Sequence, residues 1–258
     1  MNNADRILEF LTGDKIPKIC APIVESTREG ILKMAGAVYN SEADIAEWRV
    51  DYYKDFHNID ETSRTLSGIK AVIKNKPLLF TFRTLHEGGE ADISYNGYFK
   101  LLSTAGINAD LVDVEIYRNE NIKELTGLLR KHAAVIGSYH DFNGTPPAEE
   151  IAGRLVYMKN MGADIPKIAV MPKKRIDVIN LMEASLAARE RLGGAPVITM
   201  SMSGMGVISR IAAETTGSVL TFGCIGKPSA PGQIEVKRLK ELIDLLHYNE
   251  ETHISQER

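Results

Sequence analysis

Eight short apolar, β-rich runs recur along the whole 258-residue chain, separated by longer stretches with helical spacing. This is the pattern of repeated βα units, in which each crossover helix returns the chain to the same end of a parallel sheet. The runs are Lys18 to Ile23, Ile45 to Val50, Leu78 to Phe82, Leu111 to Ile116, Ala134 to Tyr139, Ile165 to Val170, Pro196 to Met200 and Val219 to Phe222. Thr27 to Val38 reads as a crossover helix capped by Ser26, and Ala148 to Met161 as one opened by Pro146-Pro147. Ile151, Leu155, Val156 and Met158 would form one core stripe, and Ile234, Leu239, Leu242, Ile243 and Leu246 another. With no linker or composition break, residues 1–258 are expected to form one α/β domain, a closed (β/α)8 TIM barrel. A doubly wound sheet is the alternative, but the first strand–helix turn, Ile23-Val24-Glu25-Ser26, lacks GxGxxG, and the chain has no GxxxxGK[ST] loop.

The 31 basic and 34 acidic side chains leave a formal charge of only -3, which gives no electrostatic footprint for nucleic acid. Asp5, Arg6 and Glu9 interrupt the first ten residues, so these lack a signal peptide's apolar stretch, and no run approaches the roughly 20 apolar residues of a membrane span. The expected location is cytoplasmic. Cys20 and Cys224 have no CxxC spacing and read as free thiols, and without HExxH a zinc site is not expected. No metal and no cofactor enter the reading.

A barrel puts its chemistry at the carboxyl ends of its strands. Strand two reads Ile45-Ala46-Glu47-Trp48-Arg49-Val50-Asp51, so Glu47 and Arg49 share a face, as an interior ion pair that is either structural or available to a polyhydroxylated ligand. Strand three ends Thr81-Phe82-Arg83 and runs into a loop containing Glu87-Gly88-Gly89-Glu90; strand four ends Asp113-Val114-Glu115. Strand five supplies Ser138-Tyr139-His140-Asp141-Phe142, and strand six places Lys167 among apolar neighbours. Two readings stand for Lys167: a lysine whose desolvation lowers its pKa and fits it for imine formation, or a snorkelling ammonium. His140, one strand earlier, reads as an acid–base group or a hydrogen-bonded structural histidine; a carboxylate such as Glu87 would fix its tautomer and raise its pKa toward neutrality. His57, His132, His247 and His253 read as surface or helix-end residues. Arg210 follows the glycine-rich turn after strand seven and suits a carboxylate, with Ser229 and Gln233 beyond strand eight as neutral hydrogen-bond partners or solvated loop residues.

The ordered set Glu47-Trp48-Arg49-Val50-Asp51, Thr81-Phe82-Arg83 with Glu87-Gly88-Gly89-Glu90, Asp113-Val114-Glu115, Ser138-Tyr139-His140-Asp141-Phe142, Lys167 and Ser229-Ala230-Pro231-Gly232-Gln233 closely resembles the type I 3-dehydroquinate dehydratases, from Pro17 to about Leu246. The resemblance implies a lyase that forms a Schiff base between Lys167 and 3-dehydroquinate and loses water by syn elimination. His140 is then base and acid, and Glu87 orients it. It further implies Arg210 on the substrate carboxylate, with Glu47, Arg49, Arg83 and Gln233 on ring hydroxyls or on one another. Ser229 and the Ala230 backbone belong to a closing loop, and Met200 and Phe222 form apolar walls. A homodimer is implied by the resemblance alone. Pro22 departs from the pattern, standing where some relatives carry a substrate-contacting serine. Two other functions compete: a second class of Schiff-base barrel, such as an aldolase, which should show a phosphate site after strands seven and eight, and an inactive barrel kept as a binding module, which should have lost the lysine–histidine pair.

Overall fold

A computed structural model describes residues 3–118, 121–226 and 228–254, with side chains up to His247. Eight parallel strands follow in chain order: β1 (Lys18–Ile23), β2 (Ile45–Arg49), β3 (Leu78–Thr81), β4 (Leu111–Glu115), β5 (Ala134–Asp141), β6 (Ile165–Val170), β7 (Ile198–Ser201) and β8 (Leu220–Cys224). Each neighbours the next from β1 to β7, and β1 also pairs with β8. The remaining seam joins β7 to β8 through one bridge, Val197 with Ser218, where the Val219 N–H donates to the Val197 carbonyl at 3.0 Å. The result is the expected TIM barrel. A two-residue strand, β9 (Ile234–Glu235), adds to β8 beside Gly223 and Cys224.

The period of two along each strand sorts the residues. Ile19, Ala46, Trp48, Phe80, Val112, Val135 and Ile168 pack outward against the helices. Cys20, Ile45, Leu79, Leu111, Ala134, Ile165, Ile198 and Leu220 form an apolar interior floor. Two residues further along, the same inward face carries Glu47, Thr81, Asp113, Lys167, Met200 and Phe222, all buried. A second repeat fixes the strand starts: Asp44, Asp110 and Asp164, each just before an even-numbered strand, accept the backbone N–H of Ile19, Leu78 and Val135 on the preceding strand, at 2.8, 3.0 and 3.0 Å.

Helix α1 (Asn3–Thr12), which the βα pattern does not predict, packs Ala4, Ile7 and Leu11 against the floor residues, while Asn3 Nδ2 donates to the His132 carbonyl. It plugs the amino-terminal end of the barrel. Ile7 and Leu11, one turn apart, each contribute on the order of 2 kcal/mol by burial. The crossover helix α2 (Arg28–Tyr39) is capped by Thr27, whose hydroxyl accepts the Gly30 N–H at 3.2 Å, and not by Ser26. The other helices are α3 (Ile59–Ile73), α4 (Tyr95–Thr104), α5 (Ile122–Leu129), α6 (Ala148–Asn160), α7 (Arg175–Arg191), the short α8 (Val207–Ile211) and α9 (Ala213–Thr216), and α10 (Val236–Ile254). In α6 Ala152 replaces Val156 in the buried stripe beside Ile151, Leu155 and Met158. In α10 the stripe is Val236, Leu239 and Ile243; Leu246 faces solvent, and pairing with Gly223 draws Ile234 out of the helix.

Candidate active site

The carboxyl ends of the strands surround one cleft, and all twelve residues singled out from the sequence line it: Glu47, Arg49, Arg83, Glu87, His140, Lys167, Met200, Arg210, Phe222, Ser229, Ala230 and Gln233. Lys167, in the middle of β6, is 4% exposed and points inward beside the Phe222 ring, with Nζ 4.7 Å from the ring centroid. The Nζ donates to Asp113 Oδ2 at 3.0 Å. The other oxygen of Asp113 accepts from Arg83 Nη2 and from the Ser138 hydroxyl, both at 2.6 Å. Burial opposes the Asp113 charge, but Arg83 and Lys167 outweigh it and hold the carboxyl at about 2.

Arg83 is the hub of the polar layer. Its Nη1 also donates to Glu115 Oε1 at 3.1 Å and to the Ser138 hydroxyl at 3.0 Å, and lies 3.3 Å from Glu87 Oε2. Three carboxylates around one buried guanidinium would repel one another unless some of the charge is neutralised. Burial and then the neighbouring Glu115 do push Glu87 well above the usual carboxylate range. Nδ1 of His140 lies 2.9 Å from Oε2 of Glu87. The expectation that Glu87 raises the histidine toward neutrality is corrected here. Burial, reinforced by Arg83, Lys167 and Arg49, lowers His140 well below its ordinary value, and Glu87, itself resisting ionisation, does not reverse that.

Strand two also differs from expectation. Glu47 and Arg49 share the interior face without pairing: Glu47 Oε1 accepts the Thr81 hydroxyl at 2.8 Å, while Arg49 forms a fork with Asp51 through Nε at 2.8 Å and Nη2 at 2.7 Å. The chain turns at Val50 into a tight 3-10 turn, Val50–Tyr52, and this brings the Asp51 carboxylate back under the guanidinium.

Arg210 lies at the opposite wall and is 1% exposed. Its Nη1 is 3.4 Å from the Phe222 carbonyl and 3.6 Å from the Met200 sulfur, its Nη2 is 3.3 Å from the Pro231 carbonyl, and its Nε has no partner among the described residues. With no carboxylate among the described residues to offset burial, the guanidinium is lowered to about 10. The loop after β8 folds against the loop after β7, with the Ser203 N–H donating to the Pro231 carbonyl at 3.2 Å. Gly232 makes that approach possible, since a Cβ there would stand 2.2 Å from the Ser203 carbonyl oxygen. Within this loop Gln233 Oε1 accepts the Ser229 N–H at 2.7 Å.

Several residues of the site escaped the sequence reading. Asp113, Glu115, Ser138 and Asp51 stand in the quoted strand-end motifs, but the motifs did not reveal that they bind the cationic side chains. Ala169, Met202, Gly88 and Phe142 complete the cleft wall. Cys20 and Cys224 are free and buried; Cys20 pairs in register with Phe222, so Cys224 lies two residues nearer the mouth. His247 lies 3.1 Å from both carboxylate oxygens of Glu214, and the His253 side chain lies outside the described residues. Among the described residues no helix is long and apolar enough to cross a membrane.

A barrel whose titratable side chains converge at the carboxyl ends of its strands, around a buried lysine and a histidine–carboxylate pair, defines an α/β-barrel enzyme. The chain belongs to the type I 3-dehydroquinase family, whose model matches residues 19–250. It is 44% identical to the 3-dehydroquinate dehydratase of Bacillus licheniformis over 254 residues, covering 96% of this chain and 100% of the relative. It is also 44% identical to that of Clostridioides difficile over 252 residues, covering 96% and 98%. Among solved structures, a type I 3-dehydroquinate dehydratase from Clostridium difficile with covalently modified comenic acid superposes with a TM-score of 0.88 at 45% identity, over 92% of this chain and 95% of that one. The 3-dehydroquinate dehydratase of Geobacillus kaustophilus gives 0.87 at 33% identity, over 90% and 91%.

Proposed function

We propose that this chain, as one barrel domain, dehydrates 3-dehydroquinate to 3-dehydroshikimate through a Schiff base on Lys167. The observation that carries this reading is the placement in one cleft of a buried lysine, a histidine beside a carboxylate, and an arginine that has no carboxylate partner among the described residues. The Clostridium difficile relative, solved with covalently modified comenic acid, supports a reading in which the protein bonds covalently to a small molecule.

Lys167, held by Asp113 in the resting site, gives up one proton to solvent; the free amine adds to the ring ketone, and loss of water from the adduct gives an iminium, which accepts the electron pair left when the adjacent carbon loses a proton. His140 removes that proton. In the tautomer whose Nδ1–H donates to Glu87 Oε2, Nε2 carries no proton and is the ring nitrogen that takes it and returns it to the departing hydroxyl. One histidine serving both steps gives syn elimination and leaves a conjugated iminium. Water then hydrolyses it, releasing product and the free amine. Arg210 binds the substrate carboxylate, which supplies the anion that its buried guanidinium lacks. Glu47, Arg49 and Gln233 receive the ring hydroxyls, Arg83 holds the carboxylates in register, and Met200, Phe222 and the Ser229–Ala230 segment limit water access. The two buried thiols accord with a reducing, cytoplasmic compartment.

Borohydride reduction of the protein with 3-dehydroquinate, followed by peptide mass mapping, tests the reading. A reduced adduct on Lys167 is expected, and no adduct in a folded protein would overturn it. His140→Ala should still trap the adduct while turnover falls about 10²- to 10⁴-fold; loss of trapping as well would move His140 from elimination to imine formation or folding.

A further inference from the structure

Outside the side chains assigned above, one buried carboxylate has all its bonding capacity committed to the site. Asp51 has no exposed side-chain surface, and its two oxygens accept four hydrogen bonds. Oδ1 accepts Arg49 Nε at 2.8 Å and the Arg83 N–H at 3.3 Å; Oδ2 accepts Arg49 Nη2 at 2.7 Å and the Glu90 N–H at 3.1 Å. An ionised carboxylate offers about four lone-pair directions, so every one is occupied.

The backbone partners flank a single loop. Arg83 leads into it and Glu90 leaves it; between them the Gly89 N–H donates to the Thr84 carbonyl at 2.8 Å and the Glu87 N–H to the same carbonyl at 3.0 Å. Glu87 is therefore carried on a loop whose two ends are tied to one carboxylate. The same carboxylate fixes the Arg49 fork.

We propose that Asp51 is a positioning residue that couples the two sides of the site: it sets the Arg49 guanidinium for substrate binding and holds closed the loop from which Glu87 orients His140. This rests on the roles assigned above to Glu87 and His140. Asparagine cannot replace it, because its single oxygen leaves two of the four donors facing an NH₂ group.

Two substitutions separate the duties. Asp51→Asn disturbs both, and is expected to lower kcat about 10- to 100-fold, raise KM several-fold and move the acid limb of the kcat pH profile. Glu90→Pro deletes the N–H that donates to Oδ2 together with the Glu90 side chain that faces Tyr52, so Glu90→Ala, which removes the side chain and keeps the N–H, is its control; both leave the donors and acceptors of the Arg49 fork in place. Relative to that control, Glu90→Pro is expected to lower kcat and move the same limb with KM near wild type. Each variant is assayed after circular dichroism establishes a wild-type fold, with borohydride trapping of 3-dehydroquinate alongside. Folded Asp51→Asn with wild-type kcat and pH profile overturns the proposal; if that variant does not fold, wild-type kcat in folded Glu90→Pro overturns it. Absence of a trapped adduct in the wild-type protein would instead refute the Schiff-base reading, so the two failures are distinguishable.

Discussion

Replacing Arg210 with methionine should make the free protein more stable and a poorer enzyme. The guanidinium is buried with its Nε unpartnered, and burial lowers it to about 10. At about 1.4 kcal/mol per pKa unit, holding it charged costs the folded state on the order of 3 kcal/mol. The sign follows from linkage: the folded pKa is depressed for a cation, so the penalty is fully present below about pH 10 and fades only as pH rises toward the unfolded value. Against this stand the contacts with the Phe222 and Pro231 carbonyls, at 3.4 and 3.3 Å, together about 1 to 2 kcal/mol at such lengths. Arg210→Met removes the charge, keeps an unbranched apolar chain in the space, and nets about 1 to 2 kcal/mol of stabilisation. For a chain of this size that is a rise of about 2 to 4 °C in Tm, read by calorimetry without ligand. The same change deletes the partner for the substrate carboxylate, so kcat/KM should fall at least about 100-fold. A lower Tm in the variant would refute the argument that this charge is stored at a cost, and an unchanged kcat/KM would remove Arg210 from substrate binding.

Acid stability should report on Asp113. Its folded carboxyl lies at about 2 against 3.8 for the ordinary group, so the charged form contributes on the order of 2 kcal/mol that is complete above about pH 4 and lost as pH falls toward 2. Denaturant titrations from pH 6 to 2 should show this decline, and Asp113→Asn should flatten it; an equally steep decline in the variant would assign it to other carboxylates. The acid limb of kcat/KM should lie below pH 6.5, because burial and three cations keep His140 neutral well under its ordinary range. That limb belongs to the His140–Glu87 pair as a unit, and a limb at or above pH 6.5 would contradict the electrostatics described here.

The barrel was legible because its signal is repeated: eight apolar runs alternating with helical stretches give a parallel sheet whatever the single residues do, and the missing linker and nucleotide-binding loops favour its closed form over an open one. Helix α1 was not legible, since Ala4, Ile7 and Leu11 find their partners only once the floor of the barrel exists. The candidate site was legible as composition at the strand ends, where Glu47, Arg49, Asp113, Lys167 and His140 violate the apolar pattern. Pairing was less so. Spacing of two suggested Glu47 with Arg49, but a side chain on the same face of a strand competes with whatever the following turn brings back, and the Val50–Tyr52 turn brings back Asp51. Electrostatic direction was least legible of all. The sequence offered Glu87 as an anion beside His140, yet the outcome depends on Arg83, Glu115 and burial, contributions from three other parts of the chain.

The charged layer and the apolar floor are connected by the same arithmetic. An interior holding Arg49, Arg83 and Lys167 survives only if each cation finds carboxylates within hydrogen-bond reach, and each of these three does. Breaking any one pair leaves its partner buried and uncompensated, so a substitution at one of these positions costs more than the loss of its own contacts. Arg210 stands apart because its carboxylate is absent from the described chain. In a cleft where the other buried cations are matched internally, the unmatched guanidinium marks where an external anion completes the set, and that is the physical argument for placing the substrate carboxylate there.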